Sequence, residues 1–169
     1  MATINSKVFP NKAKKLFLLL TDCILSTNNV GQYVSNFIDS FHPAESYIEL
    51  EKVPVESTME VVHEKMKNLR EKLQSCYSAI DKLSEDADDE ILRFHSLYID
   101  VLHNLENVID DNETTFRYIS QMIIIGRKNE SVNSISLKWN KGQSTRAERK
   151  MKFEKALALL DSEFGNFRE

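Results

Sequence analysis

Four glycines and three prolines in 169 residues are too few to reverse a chain every 8 to 12 or so positions, as a β-sandwich or barrel requires. The shortage of turn formers predicts few, long elements. No stretch reaches the roughly 18 consecutive apolar residues that cross a membrane. The run Leu16-Phe17-Leu18-Leu19-Leu20 follows Lys12, Lys14 and Lys15 as in a leader, but Asp22 cuts it and no small-x-small site follows, so neither secretion nor a membrane partner is expected. Cysteine is scarce too. Cys23 and Cys76 fall in helical apolar patterns, where they read as small buried hydrophobes of a reducing, cytoplasmic protein, although the sequence leaves a bridge between them open. Phosphate-cradling glycine loops are missing, since Gly126, Gly142 and Gly165 stand singly.

What is present is an ordinary globular balance. Hydrophobic residues make up 41% and charged residues 28%, with a net charge of −4, enough for one domain spanning 1–169 with a real core. The clearest signal runs through Met59, Val62, Met66, Leu69, Leu73, Cys76, Ile80 and Leu83, spaced 3-4-3-4-3-4-3. This heptad rhythm keeps one seam turned toward a partner helix. Ser57 with Glu60 reads as the capping box that starts it. After a polar turn and an acidic first helical turn, Ile91, Phe94, Tyr98, Val101, Leu105 and Val108 repeat the rhythm, and the short connection makes the two helices antiparallel. A second stripe on the latter helix holds Leu92, His95, Ile99, Leu102, Glu106 and Ile109, with a solvent wedge at Arg93, Ser96, Asp100, Asn104, Asn107 and Asp111. Two seams predict a helix lying between two layers, the heptad helix on one side and the N-terminal helices on the other.

Around this hairpin, about 58–84 and 88–112, shorter elements are expected. A helix capped by Asn11 runs to about Thr27, breaks at Asn28-Asn29-Val30-Gly31, and resumes to Phe41 before Pro43. Residues 43–56 form a connector with weak strand character at its centre. A short helix from Thr114 to Ile125 ends at Gly126. Ile135, Leu137 and Trp139 alternate as in one extended segment. Thr145 with Glu148 gives a second capping box, opening a helix whose face is Phe153, Ala156, Leu157, Leu160 and Phe164, stopped by Gly165. The fold class read from this is all-α, an antiparallel bundle of about five helices.

Chemistry-bearing patterns are few. Glu60-x-x-His63 and Asp100-x-x-His103 have the spacing of helix-bundle metal ligands. Yet Glu60 lies about 140° around the wheel from its seam and Asp100 falls in the solvent wedge, so no metal or other cofactor is expected. His95 in an apolar stripe reads as a hydrogen-bonded core residue, and His42 before Pro43 as helix-end chemistry. Neither cysteine has a charged neighbour that would activate it, and no catalytic set emerges. Charge distribution is more informative: residues 45–113 carry a local net of −11, residues 127–152 a net of +6. The basic tract, Arg127, Lys128, Lys138, Trp139, Lys141, Arg146, Arg149 and Lys150, continued by Lys152, is the candidate binding site. It suits an acidic protein surface, including a second copy of the chain, or it neutralises the acidic half internally. The alternative is nucleic acid, gripped at its phosphates and stacked on Trp139. The function these readings imply is a non-catalytic, protein-binding helical module.

Overall fold

The computed structural model describes residues 8–41, 52–83, 88–128 and 133–169, the side chains of 40, 41 and 133–136 aside. Five helices are found among the described residues: α1 (Val8–Phe41), α2 (Val55–Leu83), α3 (Asp89–Arg127), α4 (Asn133–Lys141) and α5 (Gln143–Phe164). A 3-10 turn, Gly165–Arg168, closes it. The chain is all-α, and no strand occurs among the described residues. The connector read at 43–56 lies outside them up to residue 51, as does His42.

Side-chain contacts fix the topology. Lys72 reaches Asp22 and Ser26 of α1 while Lys65 lies over Tyr33, so α1 and α2 are antiparallel. Arg70 meets Asp110 and Glu113, and Tyr77 donates to Glu106, which makes α2 and α3 antiparallel. Phe164 packs edge-on to Phe94 at 5.2 Å and Arg149 faces Asp111, so α5 runs back along the first part of α3. Together α1, α2, α3 and α5 form an up-down-up-down bundle. Its buried apolar side chains make one continuous cluster.

The heptad seam is buried from Val62 to Leu83. Met59 is not; it is 42% exposed, and Val55 and Thr58 take the covered positions. The reason lies at the helix start. The helix begins two residues before Ser57, with Val55 fully buried and Thr58 N–H bonded to Pro54 O at 3.0 Å. Ser57 therefore caps nothing: its hydroxyl donates to Pro54 O. At the start of α3 the acidic turn behaves as expected, Asp88 accepting from Ile91 N–H at 2.9 Å.

The two expected interruptions are absent. Helix α1 runs through Asn28-Asn29-Val30-Gly31 for 34 residues. A mid-helix glycine costs roughly 1 kcal/mol, while burying a Val or Phe is worth roughly 1.5–3 kcal/mol each, and Val30, Val34 and Phe37 are all buried. Gly31 marks a close approach instead: a Cβ there would sit 3.4 Å from the Asn112 amide. Helix α3 likewise runs 39 residues, about 58 Å, straight through Asp110-Asp111-Asn112-Glu113. Arg70 pairs with Asp110 and Glu113, and Arg149 with Asp111, so the like charges where the break was expected are shared between its neighbours.

The seams of α3 are assigned by contact. Phe94 and Tyr98 of the first meet α1, through Phe9, Phe17 and the Leu16 carbonyl, while Glu106 of the second meets α2. The wedge read as solvent-facing is partly covered, because Arg93 binds Glu163 and Asp111 faces Arg149, both from α5. Residues 133–141 are helical rather than extended. With no sheet to join among the described residues, a helix is the way to satisfy that backbone internally. Helix α5 starts at Gln143, ahead of the Thr145/Glu148 box, and no side chain caps it. Phe153, Ala156, Leu160 and Phe164 are buried as read, Leu157 partly so.

Candidate functional site

The basic tract does not assemble into one open cationic patch. Arg127 ends α3 folded onto α2, donating to Glu56 at 2.7 Å and to the Val53 carbonyl. The Glu56 carboxyl is held below its ordinary value by a backbone hydrogen bond and by Arg127. Arg149 faces Asp111 at 3.3 Å. Burial raises the Asp111 carboxyl above its ordinary value, against the pull of Arg149 and Arg146. Arg146 reaches back one helix, donating to the Trp139 carbonyl at 2.7 Å and lying over the indole at 5.3 Å. Its packing fills the space beside Gly142, where a Cβ would collide with the guanidinium. The indole N–H is buried with no acceptor among the described residues.

What remains outside is lysine and apolar surface. Lys128, Lys138, Lys141, Lys150 and Lys152 are exposed, and so are Leu137 at 59% and Met151 at 54%. Helix α5 is apolar on two sides: Phe153, Ala156 and Leu160 face the core, while Met151 and Leu159, eight residues apart with Lys155 between, stay exposed on the other. On α1, Leu18 and Leu25 are left uncovered in the same way.

The metal-like pairs stay on the surface. Glu60, His63, Asp100 and His103 are all exposed. His95 is half-buried, and Glu106, its distant companion on the stripe, accepts from Tyr77 at 3.3 Å. Burial first, and Glu106 second, push the Tyr77 phenol upward.

Cys23 and Cys76 prove to be neighbours. They are free, fully buried, and hydrogen-bonded to one another, which with burial drives the Cys23 thiol far above its ordinary range. Cys76 is the other member of that bond. The pairing follows from the antiparallel register of α1 and α2, which the sequence of either helix alone does not contain.

Sequence reasoning also missed a groove between α2 and the second half of α3. It encloses about 610 Å³, floored by Met59, Val62, Met66, Phe116 and Ile124, with His63, Lys67 and Arg117 along its edges. Met59 keeps the heptad spacing to Val62, but Thr58 takes the buried place beside Val55 and leaves Met59 lining the groove. Among the described residues no helix is long and apolar enough to cross a membrane. Comparison with protein-family models, curated proteins and solved structures returned no match.

Proposed function

We propose that this chain is a non-catalytic, cytoplasmic helical module that works by docking the outer surface of α4 and α5 against an acidic protein surface, in the first instance that of a second copy. The observation that carries this is what the fold leaves uncovered there. The arginines of the tract are turned inward to Glu56, Asp111 and Trp139. The exposed remainder combines lysines with Leu137, Met151 and Leu159. Mixed apolar and cationic surface of this kind suits a protein contact, in which apolar side chains supply the desolvated centre and charges set partner and orientation. The complementary surface lies on the same molecule: Glu60, Glu64, Glu71 and Asp100 project outward from the α2–α3 hairpin.

Sedimentation velocity across concentration and salt tests the reading. The wild-type chain should associate reversibly at low salt, and Lys138→Glu with Lys141→Glu and Lys150→Glu should abolish the association. A chain that stays monomeric at millimolar concentration, or a triple variant that associates like the parent, overturns it. Nucleic acid is the second reading for the same lysines. Arg146 over one face of Trp139 weighs against it by occupying a stacking surface. Phosphate contacts would make single-strand affinity fall by roughly 0.7 log unit per log salt for each phosphate neutralised; a flat profile removes that reading.

A further inference from the structure

We propose that the groove between α2 and the second half of α3 is a binding site for a medium-chain carboxylate, a single apolar chain ending in one anionic group. Helix α5 returns along the first part of α3, where Arg149 meets Asp111 and Glu163 meets Arg93, and the groove lies along the second part, between α3 and α2. Beyond Asp111, α3 continues against α2, and among the described residues the groove is lined by these two helices alone. The floor is apolar, through Met59, Val62, Met66, Phe116 and Ile124, and its two methionines are flexible enough to follow an alkyl chain. Met59 to Met66 and on to Arg70 spans about 16 Å of helix. The volume of about 610 Å³ lies within the roughly 300–1,000 Å³ typical of small-molecule sites.

Two polar features define the occupant's other end. The edges carry His63, Lys67 and Arg117, all exposed, and none of them has a carboxylate partner among the described residues. The fourth cation, Arg70, is already held by Asp110 and Glu113 at 2.9 and 3.2 Å, which also accounts for the groove's one carboxylate, Glu113. On the α3 side Ser120 is only 3% exposed, lines the groove, and its hydroxyl has no hydrogen-bond partner among the described residues. A buried hydroxyl left unpaired costs roughly 1–3 kcal/mol, so a ligand that brings an acceptor to it is favoured. Ser120 lies one helical turn from Arg117 and lines the same groove as Lys67, and the proposed carboxylate takes the Ser120 hydroxyl together with the Arg117 and Lys67 donors. A docked partner helix serves less well here. Its backbone carbonyls are committed to its own ladder and offer Ser120 nothing.

The site shares no residue with the α4–α5 surface, so the two readings stand or fall separately. Isothermal titration calorimetry of the full chain with decanoate, below its micelle concentration, tests the proposal against decyltrimethylammonium, which has the same tail and the opposite charge. We expect one decanoate per chain and at least tenfold weaker binding of the cation. Lys67→Glu with Arg117→Glu, both at exposed positions, should reverse that preference, and Ser120→Ala should weaken decanoate several-fold while leaving the helical circular-dichroism signal intact. Absence of decanoate binding, equal binding of the two amphiphiles by the wild-type chain, or an unchanged preference in a folded double variant would each overturn the assignment. Capture of an amphipathic helical peptide in place of decanoate would do so too.

Discussion

Tyr98 shows how tightly the centre of the bundle is specified. Its ring is fully buried and packs against Phe94, and its hydroxyl donates to the Leu16 carbonyl at 2.8 Å across to α1. Tyr98→Phe removes one neutral hydrogen bond and keeps the packing, so it should lower unfolding free energy by about 0.5–1.5 kcal/mol, measured by urea titration. The neighbouring thiols are governed by access. Cys23 and Cys76 are sealed, and the Cys23 thiol is driven upward by its bond to Cys76 and by burial. An aromatic disulfide reagent should therefore label neither in the native protein and both in guanidinium; rapid native labelling contradicts this packing. Asp111 behaves differently. Burial raises its folded-state carboxyl value, so the native state binds the proton more readily than the unfolded chain. Its contribution is fully present below the ordinary carboxylate range and is lost as pH rises through the raised value. Asp111→Asn should consequently match or exceed the parent's melting temperature at neutral pH, in spite of the lost pair with Arg149, with the difference closing at acid pH. A neutral-pH destabilisation that disappears on acidification contradicts the sign.

Among the elements, α2 was the most legible. A seam that repeats without a miss from Val62 to Leu83 has to be buried somewhere, and it is. Leu73→Asp places a charge in that layer and should cost several kcal/mol, on the order of a domain's whole 5–15 kcal/mol margin; an unchanged melting temperature in that variant would mean the seam is not buried. The start of α2 was misread for a physical reason. Ser57 and Glu60 satisfy a local capping pattern, but burial of Val55 outweighs it and carries the helix two residues further. The same competition erased the breaks at Asn28–Gly31 and between residues 112 and 114. Each of those signals is local, whereas the contacts that override them, Gly31 beside Asn112 and Arg70 between Asp110 and Glu113, join residues far apart in the chain. Three alternating residues, Ile135, Leu137 and Trp139, are too few to distinguish a strand from a short helix, and α4 is the helix. Helix α5 was read correctly on its core side. Its outward Met151 and Leu159 were visible only once the core side had been covered.

At the scale of the molecule, one end of the bundle is closed by aromatic rings. Phe9, Phe94, Phe164 and Phe167 interlock there with ring centroids 5.2–6.4 Å apart, and Arg168 lies 4.6 Å over Phe17 while reaching Asp161 and Thr21. The chain's last residues thus hold its first helix. At the opposite end α3 extends past the pairing with α5, and there the groove opens. The basic tract could be located from charge alone, but its division into inward arginines and outward lysines could not. That division depends on which carboxylates the fold brings near.

The groove depends on α3 being one uninterrupted helix, because only then do Glu113 to Ile124 lie opposite Met59 to Arg70. Native-state amide hydrogen exchange, followed residue by residue along α3, probes this most directly. The amides of Asp110 to Ser120 should exchange about as slowly as those of Leu97 to Leu105. A block of fast exchange at Asp110–Glu113, dividing α3 into two separately protected helices, would contradict the account.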